Sequence, residues 1–175
     1  MSAQDPEPIR TARLELVRAT IGTVEAAIEG GARLGELLGA RVPAGWPPDL
    51  LDEAALRFTA DRLRESADDA GWWLRFVLLA GEPKTLIGVA GYKGPPAEGA
   101  VEIGYGIVGD RQRRGYATEA AEALVRRAFG DPRVERVIAE TLPGLIPSIG
   151  VLEKCGFTRV AESSEPGVIR YERRR

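Results

Sequence analysis

Residues 101–120, VEIGYGIVGDRQRRGYATEA, hold most of the chemistry this chain can offer. If 101–108 is a strand, alternation puts Val101, Ile103, Tyr105 and Ile107 on one face and Glu102, Gly104, Gly106 and Val108 on the other. One face then presents a carboxylate followed by two absent side chains. Glycines inside a strand mark a bulge or the close approach of a ligand or another chain segment. Arg111, Gln112, Arg113, Arg114 and Gly115 follow, just before a helix that starts near Tyr116 or Ala117. Free N–H groups of a first helical turn, the positive end of the helix dipole and three arginines together make a site for an anionic phosphate. Gly115 lets the backbone approach without a Cβ in the way. Read without a ligand, the same residues are a kinked strand under a helix and a solvated basic turn.

Composition closes off other chemistries. The chain has no histidine and one cysteine, so a serine or cysteine nucleophile has no imidazole beside it, and no metal or disulfide framework is expected. Cys155, ahead of Gly156 in a helix C-terminal turn, reads as a small packed hydrophobe, which excludes a covalent acyl-enzyme. Gly104-Tyr-Gly106-Ile-Val-Gly109 matches the G-x-G-x-x-G dinucleotide fingerprint in the wrong place, since that motif belongs in a strand-to-helix turn and two of these glycines interrupt the strand. No P-loop motif is present. A net charge of −2 and a pI near 5.4 argue against nucleic acid or an anionic membrane as partner. The start, MSAQDPEPIR, is polar and acidic, and no apolar run approaches the roughly 20 residues that span a bilayer, so a cytoplasmic location is expected.

The elements that must position these residues follow from periodicity. A chain of 175 residues, 44% hydrophobic, fits a single domain over 1–175 with a flexible lead at 1–9. Leu14–Arg18 reads as a strand, Thr20 caps a helix through Glu29, and Arg33–Leu38 and Leu50–Glu65 continue helically around the Gly/Pro stretch 39–49. WWLRFVLLA from Trp72 and TLIGVAGY form a hairpin around GEPK, and 101–108 is the fourth strand. Ala117–Phe129 is the clearest helix, with Ala117, Ala120, Ala121, Leu124 and Ala128 on one face and Glu119, Glu122, Arg126 and Arg127 pointing elsewhere. Residues 134–141 are a strand, Ser148–Lys154 a short helix, and 157–160 and 168–171 strands, with Arg173–Arg175 a solvated tail.

Two motifs resemble the GNAT acyltransferases, in particular the branch similar to ribosomal-protein-alanine N-acetyltransferases. Gln112-Arg-Arg-Gly115-Tyr-Ala117 is similar to the family's [QR]-x-x-G-x-[GA] pyrophosphate loop and runs on into Thr118-Glu119-Ala120. Ser148-Ile-Gly-Val-Leu-Glu-Lys154-Cys-Gly156-Phe157 resembles the S-x-x-x-L-E-K-x-G-F block after the fifth strand. The resemblance implies an α+β fold of three layers: a mixed, mainly antiparallel central sheet with a bulged, splayed fourth strand and flanking helices. It implies acetyl-CoA as co-substrate, its pantetheine along the strand edge near Ile107 and Val108. The pyrophosphate would lie on the amides of Arg113, Arg114, Gly115, Tyr116, Ala117 and Thr118, with Gln112, Ser148 and Lys154 as further cofactor residues. Three departures stand out: Leu145 where the family carries Asn, Gly150 where it carries Arg, and Leu152 in place of the tyrosine that serves as general acid.

The expected reaction is direct attack of a primary amine, from a protein N-terminus or a small molecule, on the thioester in a ternary complex. Amines of pKa about 8 to 10.4 arrive protonated at neutral pH, so a base is needed. Glu102 matches the branch's strand-four glutamate, and Glu140 is the second candidate. A backbone N–H near Val108 is the expected oxyanion donor. Trp46, Trp73, Tyr92 and Tyr105 are candidates for the acceptor pocket, or else core. The alternative function is a non-catalytic acyl-CoA-binding or sensing protein of the same fold. Exposed strand edges could pair two copies into a homodimer.

Overall fold

The computed structural model describes residues 7–161 and 163–175. Residues 1–6 of the expected lead lie outside the described residues, and its end is a strand. In chain order the elements are β1 (Ile9–Arg10), β2 (Leu14–Arg18), α1 (Ile21–Glu29), α2 (Gly31–Leu38), α3 (Glu53–Glu65), β3 (Leu74–Leu79), β4 (Thr85–Tyr92) and β5 (Ala100–Ile107). Then come α4 (Tyr116–Phe129), β6 (Arg136–Thr141), α5 (Ile146–Lys154), β7 (Thr158–Val160) and β8 (Ile169–Arg174). The strands form one sheet of eight in the order β1-β2-β3-β4-β5-β6-β8-β7, antiparallel except for β5 and β6. A parallel pair needs a long crossover, which α4 supplies.

Local chemistry sets the helix starts. Thr20 and Thr23 close a reciprocal capping box on α1, and Asp52 caps α3 by accepting from the Ala55 N–H at 2.8 Å. Pro147 in the first turn of α5 starts that helix two residues before the expected Ser148. All eight residues of β4 are buried because helices cover both faces of the sheet there. One core, with α4 and α5, holds Ile103, Ala120, Ala121, Leu124 and Leu152; the other, under α1–α3, holds Val24, Leu56, Phe76 and Val89. The alanines of α4 let it lie close on the strands, and truncating Leu124, 0% exposed, would cost about 2–5 kcal/mol.

The sheet splays where expected. β5 pairs with β4 through Ile107, but with β6 only over Ala100–Ile103. From Gly104 onward the edge of β5 facing β6 is open. The irregularity in register differs from expectation: β5 runs against β4 without a shift, while the β3–β4 ladder shifts between Val77 and Leu78, leaving Ile87 as the extra residue.

Two other expectations are corrected. Residues Ala67–Trp72 form a 3-10 turn and β3 begins only at Leu74, because Trp72 is tucked edge-on against Tyr92 with Arg127 over its ring. The terminal arginines are no solvated tail: β8 runs to Arg174, Arg173 donates to Cys155 O and Glu122, and Arg175 donates to the carbonyls of Asp131 and Val134.

Candidate active site

The open edge of β5 has identifiable free groups. Val108 N donates to Ile87 O at 2.9 Å and Glu102 O accepts from Lys93 N at 2.9 Å, so even-numbered residues of this stretch bond toward β4. By the alternation of an antiparallel ladder, the N–H groups of Tyr105 and Ile107 point into the gap beside β6. The gap carbonyl of Ile107 is already taken by Gln112 Nε2 at 2.9 Å. Val108, fully buried, spends its own N–H on Ile87 O as the unshifted β4–β5 ladder runs on, so the free N–H groups near Val108 are those of Ile107 and Tyr105.

The phosphate-type loop meets the gap at its end. Arg113 at φ +59° and Gly115 at φ +80° are both left-handed, and no side chain caps α4 at Gly115. The first amides of α4 are therefore available to a ligand. Arg113 and Arg114 are exposed, while Arg111 is half-buried with its Nε lacking a hydrogen-bond partner. A long-range clamp holds the loop: Arg13 donates to Arg114 O at 3.0 Å, pairs with Glu119 Oε2 at 2.7 Å and lies over the Tyr116 ring. Glu119, expected to point away from the packed face, instead receives Thr11 Oγ1, Arg13 N and Arg13 Nε. Burial alone would raise its pKa, but those hydrogen bonds outweigh it and hold the carboxyl below its usual range.

Helix α5 lies against both the gap and the loop. The Tyr105 hydroxyl donates to Ser148 O at 3.2 Å, and burial pushes this phenol up to about 12. At the other end, Cys155 Sγ contacts Thr118 O in the first turn of α4 at 3.6 Å, next to the exposed Lys154. Burial lifts the Cys155 thiol to about 11, which suits a packed hydrophobe. Leu152 is 1% exposed in the core.

The opposite face of β5 carries the carboxylates. A Cβ at Gly106 would sit 3.5 Å from Pro48, so a chain segment covers that glycine, whereas at Gly104 the near neighbour is Lys93 Cε at 4.0 Å. Lys93 Nζ is in contact with Glu102 Oε1. Glu140 lies on the same face as Glu102, since Glu102 pairs in register with Ile138. It accepts from Ser164 N at 2.7 Å, Ser164 Oγ and Arg170 Nε. Burial would raise the Glu140 pKa, but these partners outweigh it and lower it.

The four aromatic candidates do not come together. Tyr92 is core: 4% exposed, its hydroxyl donates to Leu124 O on the α4 side. Tyr105 faces α5. Trp73 packs edge-on with Phe58 and lies over Gly94, beside Lys93. Trp46 tilts against Phe76 and lines a cavity of about 570 Å³ at α2. Sequence reasoning missed Lys93, Arg13 and Thr11; the last two act on residues about a hundred positions away, and no local pattern signals that.

The model of a family described as Acetyltransferase (GNAT) domain matches residues 33–158. The uncharacterized N-acetyltransferase YjdG of Bacillus subtilis (strain 168) is 27% identical over 158 residues, 90% of this chain and 93% of that protein. The crystal structure of an acetyltransferase from Agrobacterium tumefaciens str. C58 superimposes with a TM-score of 0.68 at 22% identity, covering 98% and 96% of the two chains. The ribosomal L7/L12 α-N-protein acetyltransferase RimL, solved in complex with coenzyme A, is similar at a TM-score of 0.62 and 19% identity, covering 96% and 98%.

Proposed function

The chain belongs to the GNAT acetyltransferase family, and on that footing we propose that it moves an acetyl group from acetyl-CoA to a primary amine by direct attack in a ternary complex. One observation carries the reading: an open strand edge with two inward N–H groups leads straight into an uncapped helix N-terminus. A ligand with an amide-bearing arm ending in a pyrophosphate fits that sequence of donors. The coenzyme A in the RimL structure supports the choice of ligand.

In this mechanism the amides of residues 113–118 hold the pyrophosphate, with Gln112 bracing the turn and Ser148 and Lys154 on α5 as flanking contacts. The N–H of Tyr105 or Ile107 polarises the thioester carbonyl. Glu102 takes the proton from the acceptor amine, reached by displacing Lys93 from its carboxylate. The protonated Tyr105 phenol, turning from Ser148 O, offers its hydrogen bond to the departing thiolate, covering for the tyrosine replaced by Leu152. The acceptor approaches over Trp73, from the face that carries Glu102.

Calorimetric titration with acetyl-CoA, CoA and ATP tests the core of this reading, with Gly115→Asp as the comparison. The expected result is micromolar binding of both CoA species, weak or no binding of ATP, and loss of CoA binding in the variant. A thiol-release assay over a panel of amines follows. Binding without turnover of any amine would favour the second reading, a non-catalytic acyl-CoA binder, which draws on the buried Leu152. No binding, or equal binding of ATP, would sink both.

A further inference from the structure

The chain has three lysines, Lys84, Lys93 and Lys154. Lys93 differs from the other two in where its amine stands. Its backbone N–H donates to Glu102 O at 2.9 Å, fixing the start of the side chain beside β5. Its Cε passes 4.0 Å from the place a Cβ would occupy at Gly104, the first residue beyond the last β5–β6 pair. The side chain thus lies over the face of β5 at the residue where the gap begins, and its Nζ ends in contact with the Glu102 carboxylate. The two groups differ in exposure: the Lys93 side chain is 57% exposed, while Glu102 is 20% exposed. Lys84 pairs with Glu15 instead, on β2.

An amine held against the proposed base, on the face from which the acceptor is argued to approach and beside the residue where the gap begins, stands where an acceptor amine would stand. We propose that Lys93 is itself an acceptor, acetylated in cis by bound acetyl-CoA. The inference rests on the acetyl-CoA site and on Glu102 as base, both argued above. In the step, Glu102 relays a proton away from the Lys93 ammonium, and the freed nitrogen forms a bond to the acetyl carbonyl carbon. The carbon–sulfur bond of the thioester then breaks, and CoA leaves as the thiol. Of the two protons lost by the ammonium, one ends on the thiol and one in solvent. The product amide has no charge, so it no longer pairs with Glu102, and the carboxylate is left open to an external amine.

The test incubates the full chain with acetyl-CoA alone and locates acetyl groups by peptide mass spectrometry over time. Lys93 is expected to gain one acetyl group, at a rate per molecule independent of protein concentration and far above that of Lys84 and Lys154. Lys93→Arg, which keeps a cation against Glu102, should abolish that modification, and Glu102→Gln should slow it about a hundredfold or more. Lys93 left unmodified by a protein that binds acetyl-CoA in calorimetry would overturn this inference and leave the proposed function standing. So would modification no faster than at the other two lysines, unchanged in Glu102→Gln, or rising in proportion to protein concentration. Failure to bind acetyl-CoA would overturn both.

Discussion

Glu102 and Glu140 stand on one face of the sheet and differ in what surrounds them. Glu140 is saturated, with two donors from Ser164 and one from Arg170, and its pKa is held below the usual range. A carboxylate so occupied is a poor proton acceptor and a good anchor for the segment after β7. Glu102 has one flexible cation against it, which an incoming amine can replace. Glu102→Gln is therefore expected to lower kcat by about 10²–10⁴-fold with KM for acetyl-CoA unchanged. Glu140→Gln should act mainly on stability, seen as a lower urea midpoint. Loss of kcat in Glu140→Gln, with Glu102→Gln still active, would exchange the two roles. Tyr105→Phe should reduce kcat by about tenfold or more through the lost hydrogen bond to the thiolate. Steady-state kinetics on the same amine measures all three.

Helix α4 depends on a partner far from it in sequence. Glu119 in its first turn ties Thr11 and Arg13 to the loop that would hold pyrophosphate. Glu119→Gln is expected to cost about 1–3 kcal/mol at pH 7. Because the folded pKa of Glu119 is lowered from 4.5, its contribution is fully present above 4.5 and fades as pH falls through the folded value. Urea unfolding of the two proteins should converge in acid and separate toward neutrality; a gap that persists in acid would mean that the carboxylate charge is not the cause. The inward alanines made α4 legible in the sequence, and alternation gave the faces of β5, with the two glycines marking a close approach that at Gly106 is made by the chain segment at Pro48. The Glu119 clamp was not, because a first-turn glutamate reads as an ordinary solvated helix residue until a neighbouring turn is known. Which N–H groups near Val108 stay free was not legible either, because that follows from the pairing register of β5 with β4. The arginine tail failed as a pattern because three consecutive charges look solvated, although β8 buries the alternate partners of that run.

At the scale of the molecule the terminal residues are structural. Arg173 and Arg174 complete the β6–β8 ladder opposite Val137 and Arg136, and Arg175 closes on two carbonyls of the loop before β6. Deleting residues 173–175 should lower stability by about 2–4 kcal/mol, read as a shift of the urea midpoint. The outer strands of the sheet are short, two residues in β1 and three in β7, which limits what edge pairing could add to a homodimer. Inside the sheet lies a different kind of edge. Strands from residues 9–107 and strands from residues 136–174 meet along only four residue pairs. Between strands they are joined only there, and at the open end it is the packing of α4 and α5 that bridges the two sets. A molecule lodged at that end acts as a stitch between the two sets, so its arrival should slow amide exchange in β6 and β8 as well as in the loop that grips it.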